Sequence, residues 1–270
     1  MTDEANVLCD CHAHIFGNRE HYPLAPGAEY APTDATVEAY TAVLADLAIE
    51  RCLLVQPSIY GTDNRCMLDA LDVLGARARG IAVIAPDTPR AQLQAMHRRG
   101  VRGVRLNTLP TDGPSLDQLP ALEQLVGPLN WHIQILLRPD DLLASFEQLA
   151  HATVPIVLDH FASFSPGTGE EAFDALFHLA AKKNLWIKLS APYLFSACTD
   201  QDLAYYARFV DKALHVMPDR LLWASDWPHP ALKNKAIGTR QLKGMLERWV
   251  PCERLRTQIG TENPKKLYGF

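Results

Sequence analysis

Residues 9–17, Cys-Asp-Cys-His-Ala-His-Ile-Phe-Gly (CDCHAHIFG), end the first apolar run of the chain. If residues 7–12 form a β-strand, its two-residue period points Asp10, His12 and His14 to one face and Cys9, Cys11 and Ala13 to the other. Two imidazoles then stand side by side at the C-terminal end of a strand. They could be metal ligands, hydrogen-bonding groups for a substrate, or an ordinary polar strand end. The choice depends on what surrounds them.

Further short apolar runs follow at 51–57, 80–86, 103–107, 132–139, 155–160, 185–190 and 220–228. Between them lie stretches with apolar residues at helical spacing, at 36–48, 64–78, 89–99, 115–126, 140–150, 170–182, 200–216 and 239–249. Strand-then-helix units repeated eight times in 270 residues predict an α/β fold, a distorted (β/α)8 TIM barrel. An open doubly wound sheet is the alternative, but no Gly-rich phosphate fingerprint follows the first run. No Pro/Gly/Ser linker or internal repeat divides the chain, so residues 1–270 are read as a single domain. The proline-containing segment 15–35 is too long for a routine turn and is expected to cover the barrel mouth.

Composition narrows the partners. A hydrophobic content of 48% supports a sizeable core, and a net charge of -5 without a Lys/Arg run argues against nucleic acid and anionic membrane surfaces. The acidic N-terminus lacks a signal-peptide pattern and no apolar run reaches membrane-spanning length, so a cytoplasmic location is expected. The six cysteines are scattered and read as reduced thiols. Cys9 and Cys11 are expected behind the first strand, away from any site.

Barrel enzymes place their chemistry at the C-terminal ends of strands. Strand alternation puts His160 on one face with Ile156 and Leu158, Asp226 with Leu222 and Ala224, and Arg105 and Asn107 with Gly103. Three imidazoles and a carboxylate, from strands one, six and eight, then converge on one rim. His160 or Asp226 alone would read as a strand end bonded to a loop; together with His12 and His14 they read as a catalytic site. Lys188 is given no role, because nothing visible in the sequence would lower its amine pKa. His132 begins strand five, at the wrong end of the barrel, and is read as structural.

The segments CDCHAHIFG, VQPSIYGTDN, RGVRLN, IVLDHFA and WASDWPHP, in this order, resemble the amidohydrolase superfamily, in the branch of 2-pyrone-4,6-dicarboxylate hydrolase and related lactonases. The resemblance implies an amidohydrolase-type barrel that opens a lactone, with a small acidic lactone as partner and a role in aromatic or sugar-acid catabolism. Homo-oligomerisation is left open. Asp226 is then the general base toward water, and His12, His14 and His160 polarise the carbonyl. Arg105 matches the carboxylate clamp and Arg99 a second arginine of the family, although Arg99 equally suits a helix C-terminus. Ser58, Tyr60 and His229 are further candidates to line the pocket. Tyr193 stands just after strand seven, where relatives that bind a second carboxylate have an arginine, and Leu136 stands where a tyrosine is expected; Arg138 is the candidate replacement for the missing charge.

The branch is known for working without metal, and Arg105 on strand four cannot ligate one. The expectation is therefore no metal and no cofactor, with a single Zn2+ on His12, His14, His160 and Asp226 as the alternative. A lactone isomerase and a zinc-dependent decarboxylase are the competing activities, and a non-catalytic binding barrel is the competing class.

Overall fold

The computed structural model describes residues 7–28, 30–109, 115–182, 184–230 and 238–270. Eight strands, β1 (Cys9–Ala13), β2 (Arg51–Val55), β3 (Ala78–Ala82), β4 (Val101–Asn107), β5 (His132–Leu136), β6 (Ile156–Leu158), β7 (Leu185–Leu189) and β8 (Leu221–Trp223), form one sheet in sequential order. Every paired neighbour is parallel. The ring is completed beyond β8: Asp226 N donates to the His12 carbonyl at 2.9 Å and His14 N to the Trp227 carbonyl at 2.8 Å. This is the expected distorted TIM barrel.

Helices follow the strands as the apolar spacing predicts: α1 (Val37–Asp46), α2 (Arg65–Leu74), α3 (Arg90–Arg98), α4 (Leu119–Val126), α5 (Pro139–Ala144), α6 (Phe146–Ala150), α7 (Glu170–Lys182), α8 (Asp200–Val216) and α9 (Thr239–Trp249), with α10 (Glu253–Thr257) and α11 (Asn263–Tyr268) closing the chain. Thr199 caps α8 with a full capping box, each partner satisfying a backbone N–H of the other. Strand β3 begins two residues before the expected 80 and stops at Ala82. There the Asn64 side chain takes over, bonding the backbone N–H and carbonyl of Val83 in place of a ladder.

Two buried layers result. The larger packs the outward strand residues, such as Leu54, Val104 and Ile187, against the helices. The smaller fills the barrel with Cys9, Cys11, Leu53, Val55, Ile81, Val157, Trp186, Leu222 and Ala224. The two cysteines thus face inward, not behind the strand. A register shift between Asp10 and Ala13 is the reason: this bulge lets Cys11 and His12 both reach the interior while Asp10 turns outward to Tyr40.

The bottom of the barrel is closed by the C-terminal segment. Tyr268 meets the His132 ring edge-on at 5.3 Å, and Arg51 and Arg79 lie over Phe270. Gly103 leaves the space that the His132 ring fills. No helix among the described residues is long and apolar enough to cross a membrane.

Candidate active site at the C-terminal rim

The rim gathers His12, His14, His160 and Asp226, all buried. Asp226 Oδ1 lies 3.7 Å from His12 Nε2, 3.6 Å from His14 Nε2 and 3.9 Å from His160 Nε2. These separations are too long for direct hydrogen bonds and leave the carboxylate oxygen facing three ring nitrogens. The other oxygen, Oδ2, accepts from the Tyr193 hydroxyl at 2.6 Å. Burial pushes the Asp226 carboxyl up to about 7, against the opposing pull of Tyr193 and Arg105.

His160 arrives by an unexpected route. Val157 of β6 points inward, as does Asp159 just after the strand, so alternation would send His160 outward with Ile156 and Leu158. Instead His160, Phe161, Ala162 and Ser163 all take positive φ, from 49° to 61°, and this left-handed turn swings the imidazole back into the mouth. Phe161 anchors the turn among Tyr206, Phe209 and Trp249. Asp226 is itself left-handed at φ 58°, a conformation that aspartate tolerates better than most residues.

Hydrogen-bond partners assign the ring nitrogens. His14 Nδ1 lies 2.8 Å from the Val55 carbonyl, which only accepts, so Nδ1 carries the proton. Burial, then the charge of Arg105, depresses the His14 pKa to about 3, so the ring is neutral near pH 7 and its Nε2 is an acceptor, 3.3 Å from His12 Nε2. This corrects the expectation that His14 donates to the substrate carbonyl. His160 Nδ1 is 2.8 Å from Ser190 Oγ, and burial lowers its pKa to about 4. Ser190 Oγ can donate to this nitrogen, and in that arrangement His160 presents an Nε2–H to the site.

A cavity of about 280 Å³ opens over these groups, lined by His14, His160, Asp226, Arg105, Asn107 and Ser58 on its polar side. Leu109, Leu136, Leu194, Phe195 and Pro230 supply the apolar wall, and Tyr30 reaches it from the 15–35 segment. That segment folds back on itself where Phe16 and Ala35 exchange backbone hydrogen bonds. Arg105 donates weakly to the Gln56 carbonyl at 3.4 Å, and its Nε sits 3.8 Å from Asp159.

Other expected site residues lie elsewhere. Arg99 is at the C-terminus of α3, paired with Asp69 and Asp72 of α2 on the outer surface, so it is not a substrate ligand. The Tyr60 hydroxyl accepts from Gly17 N and supports the mouth segment. Arg138 is exposed and donates to the Leu109 carbonyl, where it fastens the rim. His229 does not line the cavity: its Nδ1 lies 3.1 Å from the Tyr193 hydroxyl and its Nε2 3.0 Å from Thr239 Oγ1, so it acts on Asp226 through Tyr193.

Several residues were not anticipated. Below the histidines, Lys188, Asp159 and Gln134 form a buried polar layer. Lys188 Nζ lies 2.5 Å from Gln134 Oε1, 3.2 Å from Asp159 Oδ1 and 3.2 Å from His12 Nδ1. Burial lowers the amine pKa, the effect that the sequence had not disclosed. Asp10 accepts from Tyr40, His12 N, Ser225 N and the Ser225 hydroxyl, tying β1 to the Asp226 segment.

Among the described residues, ligand atoms of His12, His14 and Asp226, and of His12, Asp159 and His160, lie within 4.8 Å of one another. By donor type and spacing the rim suits one zinc ion.

Removing the phenol from Asp226 gives a direct test of its environment. Tyr193 stabilises the charged carboxylate, so Tyr193→Phe should raise the Asp226 pKa and move the acid limb of a pH–kcat/KM profile to higher pH; an unmoved limb would show that another group controls it.

An amidohydrolase family model matches residues 9–270. A 2-pyrone-4,6-dicarboxylate hydrolase of Comamonas testosteroni is 32% identical over 96% of this chain and 89% of its own length. A 4-sulfomuconolactone hydrolase of Hydrogenophaga intermedia is 31% identical over 96% of this chain and 88% of its own. An Acinetobacter baumannii protein assigned as a 2-pyrone-4,6-dicarboxylic acid hydrolase, solved with citric acid bound, superposes with a TM-score of 0.87 at 30% identity, covering 97% of this chain and 99% of that one. A closed parallel barrel whose rim carries His12, His14, His160 and Asp226, together with a family match over nearly the whole chain, makes this protein an enzyme of the amidohydrolase family.

Proposed function

We propose that the enzyme hydrolyses a lactone that carries a carboxylate, a cyclic ester of the 2-pyrone-4,6-dicarboxylate kind. The observation that supports this most is the facing of Asp226 Oδ1 toward three Nε2 atoms beside the guanidinium of Arg105. Water held between Asp226 Oδ1 and His14 Nε2 attacks the lactone carbonyl while Asp226 takes its proton. N–H groups of His12 and His160 stabilise the developing oxyanion. The ring C–O bond then breaks, and the leaving oxygen regains a proton from Asp226. A base with a pKa of about 7 is half available at neutrality, so kcat/KM should rise with pH until about 7 and then level.

Arg105 is the one cation among the described residues that line the cavity, and the facing wall is aliphatic and aromatic. This favours one carboxylate on Arg105 with the ring against Leu136 and Phe195. Arg105→Met should lower kcat/KM for acidic lactones by about 10- to 100-fold, the loss of one or two hydrogen bonds to a charged group, and affect uncharged lactones much less. Equal losses for both would remove the clamp.

A lactone isomerase would share the polarised carbonyl but direct a substrate hydroxyl at it; the product, a ring-opened acid or a rearranged lactone, separates the two. If zinc is resident, His12, His14, His160 and Asp226 would hold it, and its chemistry would be Lewis-acid activation of water. We favour the metal-free reading, because the guanidinium of Arg105 lines the same cavity, cannot ligate a metal and would repel a cation. The deciding experiment is elemental analysis of the purified protein with turnover of a lactone panel, including 2-pyrone-4,6-dicarboxylate, with and without chelator. Ring opening by metal-free protein supports the reading. Stoichiometric zinc whose removal abolishes turnover overturns its metal-free part, and absence of turnover on every lactone overturns the activity.

A further inference from the structure

Lys188 is fully buried inside the barrel, directly beneath the imidazole of His12. Its three polar neighbours are Gln134 Oε1 and His12 Nδ1, both at hydrogen-bond geometry, and Asp159 Oδ1, which it meets as an ion pair. The Gln134 amide is oriented consistently, since its Nε2 donates to Asp159 Oδ2 at 2.8 Å while its oxygen faces the amine. His12 Nδ1 has two neighbours at nearly equal range, Lys188 Nζ at 3.2 Å and Asp159 Oδ1 at 3.3 Å. They demand opposite things. An ammonium requires Nδ1 to accept, whereas a carboxylate requires Nδ1 to donate.

The geometry settles between them. The contact to Lys188 has hydrogen-bond geometry, while Asp159 Oδ1 receives no well-aligned hydrogen bond from the ring. A neutral imidazole has one N–H. With Nδ1 accepting, that proton must sit on Nε2, which lies 3.3 Å from the His14 Nε2 acceptor and 3.7 Å from Asp226 Oδ1. Histidines that bind metal through Nε2 do the reverse, donating Nδ1–H to a carboxylate or carbonyl behind them. His14 is in that second arrangement, through Val55.

We infer that Lys188 is a positioning residue that fixes His12 as the Nε2–H tautomer, so that His12 donates to the substrate oxygen and is withheld from metal ligation. This rests on the proposed role of His12 as a carbonyl-polarising donor. Asp159 is the alternative partner already in place: without the amine, the ring has only the carboxylate to bond, the proton moves to Nδ1, and Nε2 becomes a lone pair. Lys188 would then decide whether this rim is a donor site or a metal site.

The test reads the tautomer directly. In protein labelled with [15N]histidine, two-bond 1H–15N spectra distinguish Nδ1–H from Nε2–H, and the His12 signals are those lost in His12→Gln. The expected result is Nε2–H in the wild type. In Lys188→Met the proton should be on Nδ1, kcat should fall about 10²- to 10³-fold with KM changed less than about threefold, as when one oxyanion donor is lost, and zinc affinity should rise. Nδ1–H in the wild type overturns the inference, whether or not the variant folds. Because the spectrum needs no turnover, Nε2–H without activity on any lactone would reject the functional reading and keep the tautomer assignment, while Nδ1–H with lactone opening would do the opposite.

Discussion

Asp226→Asn should all but abolish ring opening, with kcat lowered by about 10²- to 10⁴-fold and KM little changed. The amide preserves shape and still accepts from Tyr193, but it cannot take a proton from water. Steady-state kinetics on the best lactone of a panel provide the measurement, and a variant retaining more than a tenth of wild-type kcat would remove Asp226 as the base. The same substitution should also stabilise the protein above neutral pH. The folded-state pKa of about 7 is raised above the unfolded carboxylate value, so the native state holds the proton more tightly, and stability falls as pH rises from about 4 through 7. An asparagine carries no charge to desolvate there. The melting temperature of Asp226→Asn should therefore exceed that of the wild type at pH 8 and approach it at pH 4, where the carboxyl is protonated in both states.

Asp10→Ala should be the most destabilising single change at the rim. Asp10 is fully buried, and four donors converge on it: the hydroxyls of Tyr40 and Ser225 and the backbone N–H groups of His12 and Ser225. Deleting the carboxylate strands these donors in a site without water access, at about 1–3 kcal/mol for each one that finds no substitute. A net loss of about 3–5 kcal/mol corresponds to a fall of about 10 °C in melting temperature for a chain of this size. Activity should fall beyond the lost stability, because Ser225 precedes the base and His12 lies on the same latch. Asp10→Asn, which keeps one acceptor, should recover part of the loss. Thermal unfolding and kinetics below the melting range separate the two effects, and an Asp10→Ala protein as stable as the wild type would show that the latch contributes nothing.

Most of the barrel is visible in the sequence because buried parallel strands read as short apolar runs, and each of the eight runs overlaps a strand. The helices follow for the same reason, their apolar spacing matching the face each lays on the sheet. His12, His14 and Asp226 are visible because strand ends in such a barrel project into the mouth. What fails is strict alternation near those ends. The bulge after Asp10 reverses Cys9, Cys11 and Asp10, and the left-handed turn at 160–163 brings Asp159 and His160 inward together. Arg99 fails for another reason: its partners Asp69 and Asp72 sit on a neighbouring helix, and a linear sequence does not show which helices touch. Lys188 does carry a signal in the sequence, a cation inside LWIKLS, a strand buried on both sides. A charge in that position demands partners, and Asp159, Gln134 and His12 are those partners.

The turn at His160–Ser163 also bears on the order in which the molecule acquires its structure. Four consecutive left-handed residues without a glycine cost about 1–2 kcal/mol each, so the isolated segment would hardly ever adopt this shape. It becomes favourable only once Phe161 can enter the cleft made by Tyr206, Phe209 and Trp249, residues that lie about 40 to 90 positions further along the chain. The placement of the third histidine therefore depends on α8 and α9 being docked. A partly folded barrel with all its strands paired but these helices undocked should lack its third histidine and be catalytically silent.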